Sequence, residues 1–151
     1  MPDDVEIVRL TNKDLARMRG VLSVYATAFD DRESYLSAQP DDAYFEQLLG
    51  RDDFFQLAAL DGPHVVGALS AYVLPKFEQA RSEIYIYDLA VDERHRRRGI
   101  AEAMIDFLRE IARELKAWVI YVQADHGDDP AIALYTKLGV REEVLHFDIA
   151  P

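Results

Sequence analysis

Hydrophobic positions along the chain change period several times, and each change marks an element. Val5 to Leu10 reads as a short strand. Thr11 and Asp14 have the spacing of a capping box, and Leu15, Met18, Leu22, Tyr25 and Phe29 then recur at three- and four-residue steps, which predicts an amphipathic helix. A polar stretch from Asp30 to Pro40 leads to a shorter helix from about Asp41 to Leu49. Phe54 to Leu60 and Val65 to Leu74 are apolar runs around Asp61-Gly62-Pro63, the pattern of a hairpin. Ser82 to Val91 alternates with period two, placing Ile84, Ile86, Asp88 and Ala90 on one face and Tyr85, Tyr87, Leu89 and Val91 on the other. Ile100, Met104, Phe107, Leu108, Ile111 and Leu115 form a helical stripe. Trp118 to Ala124 reads as a buried strand. Asp129 is expected as an N-cap with Pro130 at the first helical position, ahead of a helix that Gly139 stops. Glu142 to Ile149 is expected to close the chain as a last strand.

The resulting order, β-α-α-β-β-β-α-β-α-β, predicts an α/β fold (α+β in some schemes). Hairpins combined with strand–helix–strand crossovers give a mixed sheet with helices on both faces. No linker or internal repeat interrupts the chain, so one domain over residues 1–151 is expected.

Composition narrows the function. The chain has 151 residues, half of them hydrophobic, with 28 acids against 17 lysines and arginines, a formal charge of −11 and no cysteine. Lack of cysteine removes disulfides, thiolate metal sites and cysteine nucleophiles. The negative charge argues against nucleic acid or an anionic membrane as partner and leaves cationic ligands as the natural class. The polar start, Met1-Pro2-Asp3-Asp4-Val5-Glu6, is no signal peptide, and no apolar run approaches a membrane span, so a soluble cytoplasmic protein is expected. His64, His95, His126 and His146 show no metal-ligand spacing, and no metal is expected.

One local feature departs from this acidic average: Arg94-His95-Arg96-Arg97-Arg98 places four arginines in five positions, followed by Gly99, Ile100 and Ala101. The run follows a strand and opens a helix. Free amide groups and the positive end of the helix dipole meet there, which makes an anion site. Gly99 permits backbone angles that a β-carbon disfavours, and arginine supplies paired donors for phosphate oxygens. The run has neither the lysine-serine/threonine end of a P-loop nor the three glycines of a dinucleotide fold. A solvated basic turn and a nucleic-acid contact are the competing readings.

The strand Tyr85 to Val91 followed by Arg96-x-x-Gly99-x-Ala101 resembles motif A of the GNAT superfamily of acetyl-CoA-dependent N-acetyltransferases. Asp128-x-x-Ala131-x-x-Leu134-Tyr135-x-Lys137-x-Gly139 resembles its motif B. Several stretches, among them Ala71 to Pro75, Arg81 to Val91, Tyr121 to Asp125 and His146 to Ile149, are similar to aminoglycoside 3-N-acetyltransferases of the gentamicin-resistance type. Three positions depart from the usual pattern: Asp128 stands where asparagine is common, Val140 where phenylalanine is common, and Ala101 replaces a second glycine.

The resemblance implies a sheet splayed between its fourth and fifth strands with acetyl-CoA in the opening. The pyrophosphate would lie on the amides of Arg96, Arg97, Arg98, Gly99, Ile100 and Ala101, with Ala131 and Tyr135 as further cofactor contacts. The pantetheine would pair with Leu89, Ala90 and Val91, the Leu89 amide polarising the thioester carbonyl. Asp88 is expected to hold and deprotonate the acceptor amine, directly or through water. Its plainer reading is an acid that caps an amide or pairs with an arginine. Tyr135 is expected to protonate the departing thiolate, its plainer reading being a core tyrosine. With no cysteine and no recognisable serine nucleophile, direct transfer in a ternary complex is favoured over a covalent relay.

Tyr87, Asp88, Asp125, Glu143 and Asp148 are the expected substrate contacts, Tyr87 and Phe147 as flat surfaces and the acids as a negative cleft for a polycationic amine. His126 and His146 are expected to be structural or to relay protons. The expected activity is acetylation of the 3-amine of an aminoglycoside by a homodimer. A polyamine or other small-amine acetyltransferase is one alternative, and a non-catalytic acyl-CoA-binding module is another.

Overall fold

The structure, a computed structural model, describes residues 4–151; Met1 to Asp3, half of the acidic start, lie outside the described residues. The elements in chain order are β1 (Val5–Arg9), α1 (Leu15–Ala28), α2 (Arg32–Leu36), α3 (Asp42–Leu49), β2 (Phe54–Asp61), β3 (His64–Pro75), β4 (Ser82–Val91), a 3-10 turn (Glu93–His95), α4 (Ile100–Leu115), β5 (Val119–Val122) and α5 (Asp129–Leu138). One mixed sheet runs β1-β2-β3-β4-β5. Its first four strands are antiparallel, and β5 lies parallel to β4, as the crossover through α4 requires. The chain divides into two compact units, one extending to Tyr121 and the other covering Val122–Pro151.

In the first unit, successive residues of each strand point to opposite faces. One face joins α1 and α3 in a core of Met18, Val21, Tyr25, Phe45, Leu49, Phe54, Ala58, Ala68 and Ala90. The other face takes α4, whose Ile100, Met104, Ile105, Leu108 and Ala112 are buried. Gly67 marks how closely α4 approaches, because a β-carbon there would stand 3.3 Å from Met104 and 3.4 Å from Ile100. Each large apolar side chain fully buried in these layers contributes roughly 1.5–3 kcal/mol.

A β-bulge breaks the simple alternation in β4. Ser70 pairs with Asp88, but the next β3 residue, Ala71, pairs with Ile86, so Tyr87 is the extra residue. Paired residues share a face. Asp88 and Ala90 therefore join Tyr85 on the α1 side, while Ile84 and Ile86 face α4 with Leu89 and Val91. The expected grouping of Ile84, Ile86, Asp88 and Ala90 on one face is corrected by this one-residue insertion.

Five local expectations also change. The stretch from Asp30 to Pro40 contains α2, whose start is capped by Asp31 accepting from the Ser34 amide at 3.0 Å. At the start of α1, the Asp14 carboxylate accepts from the Thr11 amide at 2.7 Å and from the Thr11 hydroxyl at 3.1 Å, but the Asp14 amide donates to the Thr11 carbonyl rather than to that hydroxyl, so half of the capping box forms. In the second unit the cap of α5 is Asp128, which accepts from the Ala131 amide at 3.4 Å, so the helix begins at Asp129, one residue before Pro130. Strand β5 is shorter than Trp118 to Ala124. Finally, residues 140–151 are exposed and form no strand, which corrects the expected Glu142 to Ile149 element. A strand needs a backbone neighbour, and the complete regular element of this unit is a helix.

Candidate active site

Asp88 sits next to the bulge near the end of β4. The Tyr35 hydroxyl, from α2, donates to its Oδ2 at 2.9 Å. Among the described residues the carboxylate caps no amide and pairs with no arginine. Burial pushes its pKa above the ordinary carboxylate value, and the Tyr35 hydrogen bond opposes that rise. The site is therefore a half-buried carboxylate with one oxygen held by a neutral donor, the arrangement of a base that can take a proton.

Behind Asp88 runs a buried polar chain. Gln56 (1% exposed) and Ser70 (8%) are the buried polar side chains of an otherwise apolar core. Ser70 donates to Gln56 Oε1 at 2.5 Å, and Gln56 Nε2 donates to the carbonyls of Leu57 and Leu69 at 2.9 and 3.2 Å. With its one proton so used, Ser70 accepts from the Tyr25 hydroxyl at 2.8 Å. The Asp88 carbonyl, 3.3 Å away, is a second and weaker acceptor for Tyr25. Burial pushes the Tyr25 and Tyr35 phenols up, so both remain proton donors at neutral pH.

On the same side of β4 an aromatic row opens to solvent. Tyr87, 63% exposed, meets Tyr72 edge-on at 6.0 Å and Tyr85 at 5.7 Å, and Tyr85 stacks on Tyr121 at 4.7 Å. Electron-rich ring faces beside a carboxylate suit a cationic ligand with flat apolar patches.

The arginine turn is built differently. Arg97 (φ 63°) and Gly99 (φ 76°) both adopt left-handed backbone, and α4 starts without a side-chain cap. The first intrahelical bond runs from the Ala103 amide to the Gly99 carbonyl at 3.0 Å. The amides of Ile100 and Ala101 therefore precede the helical ladder and face outward at the positive end of a 16-residue helix. A β-carbon on Gly99 would meet nothing within 4 Å, so glycine is needed for its backbone angle and leaves the approach open. Arg96 Nε donates to the Val91 carbonyl at 3.1 Å, and Arg98 pairs with Asp4 at 2.8 Å. Arg97 is exposed. These features fit the phosphates of a coenzyme A ester: open amides, a helix N-terminus and a projecting guanidinium. A cleft of about 500 Å³ lined in part by Arg17, Gly20, Thr27, His64, Arg94 and Arg96 adjoins this turn, and Asp88 does not line it.

Leu89, Ala90 and Val91 pair on one edge with Leu69, Ala68 and Gly67 of β3. The Trp118 amide donates to the Ser82 carbonyl at 3.1 Å and Tyr121 stacks on Tyr85, so β5 lies alongside the first half of β4. The segment Leu89–Val91 continues beyond it.

In the second unit Tyr135 is half-buried, and burial holds its phenol at about 12, with the Asp128 charge adding to the rise. The Ala131 amide is occupied by the Asp128 cap. Asp125 is exposed, and its carbonyl accepts from the Asp128 amide at 3.2 Å. Glu143 pairs with Arg141 at 2.9 Å, and Asp148 with His146 at 2.9 Å. Phe147 is exposed. Among the described residues no group of acids and histidines is arranged to hold a metal ion, and no helix is long and apolar enough to cross a membrane.

Tyr35, Tyr25, Ser70 and Gln56 escape the sequence reading. Gln56 and Ser70 do carry a signal, each being a polar residue in the middle of an apolar strand. Tyr35 carries none, because it lies in a polar stretch and meets Asp88 across 53 positions of chain.

Residues 21–140 match the acetyltransferase (GNAT) family. The fold superposes on the crystal structure of an aminoglycoside acetyltransferase, HMB0005, from an uncultured soil metagenomic sample. Sequence identity is 52% and the TM-score is 0.95, over 97% of this chain and 98% of that one. Another aminoglycoside acetyltransferase from soil metagenomic DNA, meta-AAC0020, solved in complex with sisomicin, is 28% identical, with a TM-score of 0.91 over 99% and 97% of the two chains. An N-alpha-acetyltransferase of Sulfurisphaera tokodaii is 26% identical over 145 residues, which is 89% of this chain and 80% of that protein.

Proposed function

Because the chain belongs to the GNAT acetyltransferase family, whose members use acetyl-CoA, we propose that it acetylates the 3-amine of gentamicin-type 2-deoxystreptamine aminoglycosides and so confers resistance to them. The observation that carries the substrate class is the 52% identity, along nearly the whole chain, to an aminoglycoside acetyltransferase. The 3-position is supported by the gentamicin-type stretches around Arg81 to Val91 and His146 to Ile149.

Acetyl-CoA supplies the activated acyl group as a thioester. The amides from Arg96 to Ala101 and the Arg97 guanidinium bind its phosphates, and the edge of β4 at Leu89–Val91 holds the pantetheine arm like an added strand. The Leu89 amide donates to the thioester oxygen as negative charge builds there. Asp88 binds the acceptor ammonium and takes one proton, which frees the nitrogen lone pair. The new C–N bond forms as the C–S bond breaks, and the electron pair leaves with sulfur. Burial holds the Tyr135 phenol at about 12, so it keeps its proton at neutral pH. As the motif B resemblance implies, it gives that proton to the departing thiolate, and the second proton shed by the acylated nitrogen replaces it. Tyr87 offers a ring face to the sugar, and Asp125, Glu143 and Asp148 add negative charge that draws in a polycation.

Thiol release from acetyl-CoA with gentamicin, sisomicin and spermidine tests this reading. Release with the aminoglycosides at higher kcat/KM than with spermidine is expected. Preference for spermidine would shift the acceptor class to polyamines, and tight acetyl-CoA binding with no turnover on any amine would favour a non-catalytic module.

A further inference from the structure

We propose that Tyr35 is a positioning residue for acceptor deprotonation: its hydroxyl fixes Asp88 through Oδ2, so that Oδ1 is the oxygen presented to the acceptor amine. The inference rests on the reading of Asp88 as the base, and it adds a role for α2, which no motif contains.

The geometry favours this assignment in three ways. First, the donor is held from behind. Tyr35 packs against the rings of Tyr25 at 5.6 Å and Phe29 at 5.9 Å, and α2 is capped by Asp31, so the hydroxyl has little freedom to leave Asp88. Second, the backbone under Asp88 is fixed independently, through the bulge and the chain from Gln56 through Ser70 to Tyr25. Third, the hydrogen bond is directional. A phenol donates one proton, so it occupies one carboxylate oxygen and leaves the other with its lone pairs.

The surroundings of Asp88 make Tyr35 decisive for its proton affinity. The titratable groups facing it are phenols: Tyr25 on α1, Tyr35 on α2, Tyr72 on β3 and Tyr85 on β4, with Tyr87 at the bulge. Asp31 is a further charge acting on Tyr35. Among the described residues no lysine or arginine pairs with the carboxylate. Burial raises its pKa and the Tyr35 bond lowers it, so removal of the hydroxyl leaves the rise unopposed.

The test is the pH dependence of kcat/KM for gentamicin. Tyr35→Phe is expected to move the acidic limb upward by about one pH unit, the scale of one hydrogen bond to a charged group, to lower kcat severalfold, and to leave the Kd of acetyl-CoA unchanged. Replacing Tyr35 by 3-fluorotyrosine, nearly isosteric and a stronger donor, is expected to move the limb downward, which keeps the test intact should Tyr35→Phe fold poorly. Phe29→Leu loosens the packing but keeps the hydroxyl, so it should lower the Tm and leave the limb in place. An unmoved limb in both Tyr35 proteins, or an equal shift in Phe29→Leu, overturns the positioning role. Activity surviving in Asp88→Asn would instead overturn the base reading. Loss of activity in Asp88→Asn together with an unmoved limb in the Tyr35 proteins would sink this inference alone.

Discussion

The arginine turn and the Asp88 pocket lie toward the same end of β4, yet they are built in opposite ways. The turn is local. Consecutive residues, a left-handed glycine and the start of α4 create it, and what it can offer a ligand is backbone amides. The pocket is assembled from α1, α2, β2, β3 and β4, its central group is one side chain, and its support is a buried hydrogen-bonded chain. Phosphate recognition can rest on backbone because phosphate is always charged and needs only donors. Deprotonation of an amine needs a tuned pKa, and tuning needs burial and chosen neighbours.

If the two regions are separable, variants should separate binding from turnover. The largest effect is expected from Asp88→Asn. Its kcat with gentamicin should fall by roughly 10²–10⁴-fold, the usual worth of a general base, while calorimetry finds the Kd of acetyl-CoA unchanged. A matched loss in both would erase the distinction. Gly99→Val acts on the other side. A β-branched residue in left-handed backbone costs about 1–2 kcal/mol, so acetyl-CoA should bind about five- to thirtyfold more weakly with kcat at saturation nearly retained. Unchanged affinity would remove the turn from the cofactor site.

The pocket's support should show in stability rather than affinity. Tyr25→Phe deletes the hydroxyl bonded to Ser70 and is expected to cost about 1–3 kcal/mol in urea unfolding. No measurable loss would mean that the buried chain is idle. The smallest effect is a trend with pH. The raised pKa of Asp88 means that the folded chain holds this proton more tightly than the unfolded chain. Stability therefore falls as pH climbs from the ordinary carboxylate value through the raised one. Asp88→Asn should accordingly raise the Tm at neutral pH and lose that advantage in acid. A pH-independent difference would argue that the carboxylate is not desolvated.

The same contrast explains what the sequence disclosed. Arg96 to Ala101 could be read directly, because the motif and the structure are the same six residues. The period-two pattern of β4 found the strand but put Asp88 on one face with Ile84 and Ile86. The bulge at Tyr87 depends on pairing with β3, which periodicity along β4 alone does not contain. Tyr35 was invisible for a related reason, since its contact is made across the fold. The segment Glu142 to Ile149 has a strand's composition, yet composition supplies no partner strand, and the segment lies exposed. Asp128 was first a departure from motif B and proved to be the cap of α5, a position where aspartate serves as well as asparagine.

The central claim is that this acetyltransferase acts on an aminoglycoside at its 3-amine, and structure determination of the product by mass spectrometry and NMR tests it most directly. Incubation with gentamicin and acetyl-CoA is predicted to give a single added acetyl group on the 3-nitrogen of the 2-deoxystreptamine ring. An acetyl group on another nitrogen would contradict the assigned position, and no acetylated aminoglycoside from the folded protein would contradict the account itself.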